Sequence, residues 1–394
     1  MLQRTILLTL GCLLVLEVGN SSASISLPIK GVKRMALKSA KVGATSGTEH
    51  TIESGVRNAD LAYLLEIGVG SPPQPFTLLF DTGSSTTWIP VDNCGHRCGF
   101  PPHGYSDASS STSESTTLKF DIQYGRGFAE GYFVKETVTL GNASIPQTYI
   151  AVSNFNDGEL SMDGADGIFG AGPDELSYSD NSEGIIIPTV LTSMKTEKLI
   201  DERSFSVYFQ PRKDENDESI NGVVTFGGVD TERIEPKINY VNVTKQAGYK
   251  DYWAINIDGL AFDNQTVSKT QSMVALVDTG TTMVLIPEAI ARDFFRNIPS
   301  AYRSQSGLFV IPCNASNLPT FSVIINGEKY TLDGSQYVIP RFQVQHLNPD
   351  YCYTYLQSGP PNLQIILGYG FLQSVGTIYN MDTRQIGFGR HKAH

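Results

Sequence analysis

The segment Phe80-Asp81-Thr82-Gly83-Ser84-Ser85 decides how this chain is interpreted, because a close copy, Val277-Asp278-Thr279-Gly280-Thr281-Thr282, follows 197 residues later. Each Asp comes after an apolar run that is typical of a β-strand. The Thr-Gly that follows indicates a sharp turn, because glycine tolerates positive φ and close approach of other backbone. Each copy therefore predicts an Asp carboxylate held at a strand end, close to backbone N–H and hydroxyl donors.

Two further landmarks repeat in the same order, so the copies belong to an internal duplication. Ile-Pro follows each Asp, and two apolar residues followed by Gly come later still. The landmarks are Ile89-Pro90 with Ile286-Pro287, and Ile168-Phe169-Gly170 with Ile366-Leu367-Gly368. Self-similarity at a fixed period usually indicates short repeats, whereas this repeat has the size of a whole lobe.

If the duplicated lobes face each other across a pseudo-two-fold axis, Asp81 and Asp278 come within hydrogen-bonding distance. Two carboxyl groups at such a short distance from each other cannot both ionise, so they share one proton. The ionised partner can deprotonate a bound water while the protonated partner donates to a carbonyl oxygen. This pair predicts hydrolysis of peptide bonds without a metal, a cofactor or a covalent intermediate. The alternative is that both residues only form turns, as Asp often does.

On these motifs the chain resembles the pepsin-like aspartic proteases from about residue 60 to the C-terminus. The resemblance implies an all-β, bilobal fold, with two pseudo-two-fold related, β-barrel-like lobes (residues 56–235 and 236–394) and the active-site cleft between them. It implies a monomeric endopeptidase that cleaves extended polypeptides at acidic pH, with Asp81 and Asp278 as catalytic residues. Support for this dyad is expected from Thr82, Gly83, Ser84, Thr279, Gly280 and Thr281, and substrate contact from Thr282.

Two strand-like runs, Leu118–Tyr124 and Tyr132–Leu140, flank Gly125-Arg126-Gly127 and predict a β-hairpin. The hairpin resembles the family's flap, with Tyr124 at the position of the flap tyrosine, and its tip residues Gly125, Arg126 and Gly127 are expected to contact substrate. Arg126 departs from the Thr, Ser or Asp common there, and a cation should disfavour basic P1 residues. The Ser/Thr-rich stretch Ser106–Thr117 before the hairpin predicts an exposed connection.

Tyr369 is a second departure from the family. An Asp usually follows the apolar-apolar-Gly landmark of the second lobe, and Tyr369 takes its place. Without that negative charge we expect the dyad to ionise at lower pH. The alternative is that Tyr369 simply packs.

Four cysteines remain after removal of a leader that contains Cys12, and four allow three disulfide connectivities. Pairing Cys94 with Cys98 and Cys313 with Cys352 keeps each bridge within one lobe and resembles the family's arrangement. A zinc site is the alternative explanation for clustered cysteines, but the sequence has no second pair of ligands at the spacing of a zinc finger. An exported chain favours disulfides.

Residues 1–23 have the pattern of a signal peptide, with Arg4 before the apolar run Thr5–Leu16 and small residues near Ala23. Residues 24–55 contain five Lys and Arg and two Glu, although the whole chain has a formal net charge of −11. A basic leader on an acidic body predicts a pro-segment that inhibits its own enzyme and loosens as carboxylates protonate in acid. The alternative is a basic tail without an inhibitory role.

Four sequons, at Asn142, Asn242, Asn264 and Asn314, predict glycosylation and agree with secretion, or alternatively with delivery to an acidic compartment such as a vacuole or lysosome. The acidic composition argues against nucleic-acid binding, and no stretch after the signal peptide is apolar enough for a membrane span. The chain lacks His-Glu-x-x-His and Gly-x-Ser-x-Gly, which argues against zinc and serine hydrolases.

Two rival functions remain. A catalytically silent pepsin-like binding protein would keep the fold, but such relatives usually alter an Asp or a turn residue, and both turns are intact here. A glycosidase also uses two carboxylates, but the duplicated turn does not favour this function.

Overall fold

The computed structural model of the chain describes residues 24–33, 61–125, 127–158, 160, 164–179, 185–211, 213–214, 222–263, 265–266, 273–343, 348–360 and 364–392. The predicted signal peptide, most of the predicted pro-segment, Arg126 and Asn264 lie outside these residues. Within them the chain forms mainly β-strands, with short helices between some of them.

The first half of the chain contains ten strands and one α-helix within the described residues. The strands are β1 (Ile25–Lys33), β2 (Leu61–Val69), β3 (Gln74–Asp81), β4 (Trp88–Pro90), β5 (Glu114–Gln123), β6 (Phe128–Leu140), β7 (Ala143–Asn156), β8 (Gly167–Gly170), β9 (Ser204–Phe209) and β10 (Gly222–Phe226), and the helix is α1 (Val190–Thr196).

The second half contains the remaining strands and three helices of the described part. They are β11 (Ile234–Asn242), β12 (Ala254–Ile257), β13 (Gly259–Phe262), β14 (Gln265–Thr266), β15 (Met273–Val277), β16 (Val284–Ile286), α2 (Glu288–Arg296), β17 (Tyr302–Arg303), β18 (Phe309–Pro312), β19 (Phe321–Ile325), β20 (Glu328–Leu332), α3 (Gly334–Tyr337), β21 (Tyr351–Tyr353), β22 (Leu356–Ser358), β23 (Ile365–Leu367), α4 (Tyr369–Leu372), β24 (Gly376–Asn380) and β25 (Gln385–His391).

The landmarks that repeat in the sequence pair with one another in the same way in both lobes. In the first lobe β3, which ends at Asp81, runs parallel to β8, and β4 runs antiparallel to β8. In the second lobe β15, which precedes Asp278, runs parallel to β23, and β16 runs antiparallel to β23. The duplication in sequence is therefore a duplication of strand topology, and the fold is the predicted bilobal all-β architecture.

One sheet of thirteen strands crosses from lobe to lobe, in the order β11-β25-β24-β9-β10-β1-β2-β3-β8-β4-β7-β6-β5. The antiparallel pair of β9 and β24 joins the lobes. Aromatic side chains fill the core behind this junction: the ring of Phe80 lies 5.7 Å from that of Phe169 and 5.8 Å from that of Phe205. Because Phe80 directly precedes Asp81, this core fixes the strand that carries the first carboxylate.

The start of the predicted pro-segment contributes a strand to this sheet. β1 pairs antiparallel with β10 through residues 25–29 and with β2 through residues 30–33. The side chain of Leu27 is buried in the hydrophobic core. This part of the segment is therefore built into the fold of the enzyme, between strands of the first half of the chain.

The predicted hairpin is present and is longer than expected. Its arms are β5 and β6, whose register runs from Gln123 opposite Phe128 back to Glu114 opposite Lys135. The expectation that the whole stretch Ser106–Thr117 is a connection was therefore wrong at its C-terminal end, because β5 begins at Glu114. The Ser and Thr side chains there lie on an arm whose outer face is solvated, so their polarity does not oppose strand formation.

Candidate active site

Asp81 and Asp278 occupy equivalent turns, and each carboxylate is held by its own turn. The N–H of Gly83 donates to Oδ1 of Asp81 over 2.8 Å, and the hydroxyl of Ser84 donates to its Oδ2. The N–H of Gly280 donates to Oδ1 of Asp278 over 2.9 Å, and Oγ1 of Thr281 donates to its Oδ2 over 2.6 Å. Each carboxylate therefore accepts one backbone and one hydroxyl hydrogen bond, which fixes its plane.

Thr82 and Thr279 lock the two turns together across the lobe junction. The backbone N–H of each Thr donates to the hydroxyl of the other, over 3.0 Å from Thr82 and 2.9 Å from Thr279. Each hydroxyl then donates onward, that of Thr82 to the carbonyl of Val277 over 2.9 Å and that of Thr279 to the carbonyl of Phe80 over 2.8 Å. Both Thr side chains are buried. This reciprocal set holds the strand ends that carry the two Asp residues at one fixed separation.

The glycines of the two turns allow the carboxylates to approach each other. A Cβ added at Gly83 would lie 2.7 Å from Oδ1 of Asp278, and one added at Gly280 would lie 2.3 Å from Oδ1 of Asp81. Real Cβ atoms do not approach oxygen so closely, so only glycine fits at either position. The two carboxyl groups lie within hydrogen-bonding distance of each other, as the shared-proton interpretation requires.

The surroundings of Asp81 favour its protonated form. Burial, followed by the charge of Asp278, raises the pKa of Asp81 from 3.8 to about 7, against the opposing hydrogen bonds from Ser84 and Gly83. Its side chain is 6% exposed, whereas that of Asp278 is half-buried. At the mildly acidic pH where Asp81 keeps its proton, the pair can offer one acid and one base to the same water.

The flap tyrosine reaches the dyad through a short chain of polar contacts. Nε1 of Trp88 donates to the hydroxyl of Tyr124 over 2.8 Å, and this hydroxyl lies within hydrogen-bonding reach of Ser84, which holds Asp81. Burial and the charge of Asp81 raise the pKa of Tyr124, so the phenol stays neutral. Tyr124 thereby closes one side of the dyad with a polar group.

The flap tip turns through its two glycines. The N–H of Tyr124 and the side-chain amide of Gln123 both donate to the carbonyl of Gly127, each over 2.9 Å. Gly127 has φ +84°, a conformation that favours glycine, and Gly125 is exposed. The predicted contribution of Arg126 lies outside the described residues.

In the second lobe, the segment of Thr281 and Thr282 is bonded through its backbone to the segment that begins at Tyr369. The Thr282 side chain is buried, and its carbonyl accepts the N–H of Gly370 over 2.9 Å. The ring of Tyr369 packs against those of Tyr63 and Tyr355, with centroids at 5.2 and 5.6 Å. The ring of Tyr369 is therefore packed among aromatic neighbours, and the expected effect of the missing carboxylate on the dyad stays a prediction.

The cysteines form the two expected bridges, Cys94–Cys98 and Cys313–Cys352. Three of the sequon residues, Asn142, Asn242 and Asn314, are exposed. The described residues contain no group of three or more His, Cys, Asp or Glu that could hold a metal ion. No helix in the described part of the chain combines the length and the apolarity that a bilayer span needs.

Sequence reasoning missed the role of Asp166, which precedes β8, the strand that supports Asp81. Its buried carboxylate accepts the N–H of Thr77 over 2.8 Å and that of His103 over 3.1 Å, and its Oδ2 lies 2.9 Å from Nδ1 of His103. These bonds tie the start of β8 to β3 and to a neighbouring loop. An Asp directly before an apolar supporting strand was the only available signal, and it does not reveal its partners.

Comparison with known proteins agrees with this geometry. The family model described as eukaryotic aspartyl protease matches residues 62–391. Cathepsin D of Chionodraco hamatus is 30% identical over 341 residues, 84% of this chain and 82% of that protein, and human gastricsin is 30% identical over 337 residues, 84% and 81%. The crystal structure of the aspartic proteinase from Irpex lacteus matches with a TM-score of 0.76 at 26% identity, over 94% of this chain and 98% of that one. The chain therefore belongs to the eukaryotic aspartyl protease family and is a pepsin-like aspartic endopeptidase that acts on polypeptides.

Proposed function

We propose that Asp81 and Asp278 are the catalytic pair of this endopeptidase. One carboxylate removes a proton from a water held between the two side chains, while the protonated partner donates to the scissile carbonyl oxygen. The water oxygen then bonds to the carbonyl carbon, and the amine leaves once the nitrogen has taken up a proton from the pair. The observation that carries this assignment is the hydrogen-bonding distance between the two carboxyl groups, set by glycines that nothing larger could replace.

We assign the supporting roles to residues that touch this pair. Ser84 and Thr281 hold the outer oxygens, Gly83 and Gly280 hold the inner ones, and the Thr82–Thr279 lock keeps the two turns together. Tyr124 lies over Ser84 on the flap, where Gly125, Arg126 and Gly127 would contact an extended substrate and exclude water. Thr282 would contact the substrate backbone on the opposite side.

Degradation of denatured globin between pH 3 and 5, with and without a statine-type inhibitor, tests the pair. We expect Asp81→Asn and Asp278→Asn to lose activity by a factor of about ten thousand or more, because each removes one half of the acid–base pair. Asp350→Asn, at an exposed carboxyl of the second lobe, is the matched control and should keep full activity. Inhibitor-sensitive activity in the purified Asp81→Asn enzyme would end the assignment.

We propose that residues 24–55 are a pro-segment that inhibits the enzyme within the same chain, after a signal peptide over residues 1–23. Its basic charge against an acidic body supports this, because ion pairs between the two weaken as carboxylates protonate. The strand pairing of β1 supports a segment that is docked rather than loose. We place the two catalytic lobes at residues 56–235 and 236–394.

N-terminal sequencing before and after acid treatment tests this division. We expect the mature chain to begin between residues 47 and 58 after exposure to acid, with activity appearing at the same time. If the pro-segment is also removed from the Asp81→Asn variant, an external protease cleaves it. If it stays attached in that variant, the wild-type enzyme cleaves itself. A chain that is fully active with its N-terminus still at residue 24 would contradict the inhibitory role.

We propose that the protein is a secreted, glycosylated monomer, with an acidic vacuole or lysosome as the alternative destination. The exposure of Asn142, Asn242 and Asn314 supports glycan attachment. Fractionation of expressing cells, a shift in mass after glycosidase treatment, and size-exclusion chromatography test the three parts of this proposal separately. Activity confined to the cell pellet would favour the vacuolar alternative.

We propose that Arg126 makes the flap disfavour basic residues at P1, since like charges repel where water is excluded. Cleavage of matched Lys-P1 and Phe-P1 peptides by the wild type and by Arg126→Asp measures this effect. We expect the variant to gain at least about threefold in relative preference for the Lys-P1 peptide. An unchanged ratio would remove Arg126 from the specificity determinants.

A further inference from the structure

Trp253 is a buried residue with hydrogen bonds to the strand that precedes Asp278 and to the segment that supports Asp81. It lies just before β12, and its backbone carbonyl accepts the N–H of Val277 over 2.8 Å. Val277 directly precedes Asp278. The first contact therefore holds the second-lobe Asp strand from one side.

The side chain of Trp253 crosses to the first lobe. Its Nε1 donates to the carbonyl of Ala171 over 2.9 Å. The N–H of Ala171 in turn donates to the carbonyl of Asp81 over 2.8 Å. Ala171 thus accepts the indole hydrogen bond at its carbonyl and donates its own N–H to the carbonyl of Asp81.

The indole has little freedom to move. Trp253 is 1% exposed, and its ring packs against Tyr379 at 5.4 Å and Phe205 at 6.4 Å, both close to edge-on. These two neighbours belong to β24 and β9, the strands that join the lobes. A ring fixed by such packing presents its single N–H donor in one direction, which is the requirement for a residue that positions another group.

We propose that Trp253 is a positioning residue of the catalytic pair, which sets the place of Asp81 relative to Asp278 through the hydrogen bond from its indole to Ala171. The inference rests on the assignment of Asp81 and Asp278 as the catalytic pair. Trp253 touches neither carboxylate. It acts on the backbone behind them, whereas the Thr82–Thr279 lock acts on the turns themselves.

Loss of this bond should move the carboxylates apart by a fraction of an ångström. Such a misplacement lowers the rate of the chemical step and leaves the affinity for substrate almost unchanged. It also weakens the influence of the Asp278 charge on Asp81, which depends on their separation. The alkaline limb of the kcat profile should then move to lower pH.

The sharpest test replaces Trp253 with 3-benzothienylalanine by site-specific incorporation. Sulfur takes the place of the indole N–H, so the donor is removed while the shape of the ring is kept. We expect kcat to fall about tenfold, KM to stay within about twofold, and the alkaline limb to move down by about half a pH unit. Trp253→Phe, which also lacks the donor, should change kcat and pH profile in the same directions.

Tyr337→Phe is the matched control, because the Tyr337 hydroxyl donates to the carbonyl of Pro319 over 2.7 Å in a buried part of the second lobe outside the dyad. This variant also removes the donor of a buried aromatic side chain from a backbone carbonyl, and it should lose stability with an unchanged kcat and pH profile.

Unchanged kcat and pH profile in a folded benzothienylalanine enzyme would overturn the positioning role, and so would failure of that enzyme to fold, since the bond would then serve folding. Neither result would affect the catalytic pair itself, which Asp81→Asn tests on its own.

Discussion

The two lobes use the same strand pairing to present an Asp, but they differ in what stands behind it. The residue after the glycine of the repeated landmark is Ala171 in the first lobe and Tyr369 in the second. Their N–H groups bond to different places of the two turns, that of Ala171 to the carbonyl of Asp81 and that of Tyr369 to the carbonyl of Thr281, each over 2.8 Å. The first-lobe counterpart of Thr281 is Ser84, whose carbonyl accepts the N–H of Gly172 instead, over 2.7 Å. The strand pairing has kept its symmetry, while the bonds behind the turns and the side chains have diverged.

An aromatic residue from each lobe packs against this position in the other lobe. The register of β2 with β3 and of β12 with β15 makes Tyr63 and Trp253 equivalent, since each precedes the residue that pairs with Leu79 or Leu276. Tyr63 meets the ring of Tyr369 at 5.2 Å and donates its hydroxyl to the carbonyl of Gln210 over 3.1 Å. Trp253 donates across the junction instead.

The cleft side of the two turns differs as well. Ser84 and Thr281 each donate a hydroxyl directly to their own Asp. In the first turn the contacts continue from Ser84 to Tyr124 and Trp88. The duplicated scaffold thus supplies two nearly equal carboxylates, and the diverged side chains make their surroundings unequal. That inequality lets one carboxyl keep a proton while the other serves as a base.

The largest effect on kcat/KM should come from replacing Gly83 or Gly280, the glycines that allow the close approach of the two carboxylates. Gly280→Ala places a Cβ 2.3 Å from Oδ1 of Asp81, and Gly83→Ala places one 2.7 Å from Oδ1 of Asp278. We expect both to lower kcat/KM by at least about a hundredfold, with Gly280→Ala the worse of the two. Gly228→Ala, whose new Cβ would have ordinary contact at 3.6 Å, should keep wild-type kcat/KM. If Gly83→Ala and Gly280→Ala were as active as Gly228→Ala in a peptide assay, the close approach of the carboxylates would not depend on the turn glycines.

The raised pKa of Asp81 predicts a stability that depends on pH. Between its unfolded value of 3.8 and its folded value of about 7, the folded protein keeps a proton that the unfolded chain releases. The folded state binds more protons there, so the free energy of unfolding falls as pH rises through this window. Asp81→Asn removes that slope, and relative to pH 3.5 it should gain roughly 4 kcal/mol of unfolding free energy over the wild type at pH 7.

Thermal or urea unfolding at several pH values measures this gain. Asp350→Asn, at an exposed carboxyl, should follow the wild-type pH dependence. If the wild type and Asp81→Asn change in parallel between pH 3.5 and 7, the proton is not held by Asp81. The same window predicts that activity declines as pH approaches 7, because the pair then loses its acid.

A smaller effect should follow from the flap side of the first turn. Tyr124→Phe leaves the indole N–H of Trp88 without its acceptor and removes the hydroxyl beside Ser84. We expect kcat/KM for a peptide substrate to fall about tenfold, the usual scale for one lost polar contact at a closed site. Tyr302→Phe, at an exposed tyrosine, should match the wild type. A Tyr124→Phe enzyme with full kcat/KM would show that the flap hydroxyl does not act on Asp81.

The sequence was sufficient to predict the fold and the pairing of the Asp turns, because the repeated landmarks are the residues that contact one another. Strand ends were harder to predict. β6 begins at Phe128 rather than Tyr132, because residues 128–131 pair with β5 although Gly131 among them is a poor strand former. The bond from Trp253 to Ala171 could not be predicted, because it joins residues far apart in the chain whose types do not suggest partners.

The smallest effect should come from the second-lobe counterpart of the Trp253 contact. Tyr369→Phe keeps the ring that packs against Tyr63 and Tyr355, so the free energy of unfolding should change by less than about 1 kcal/mol. The kcat profile should stay within about 0.2 pH unit of the wild type, because the influence of Tyr369 comes from packing and not from charge. A pH titration of kcat beside that of the benzothienylalanine enzyme makes the contrast direct. The contrary outcome is that Tyr369→Phe moves the kcat profile as far as loss of the Trp253 donor does. The Tyr63–Tyr369 and Trp253–Ala171 contacts would then be equivalent in function, and the functional difference between the lobes would have to lie in the flap alone.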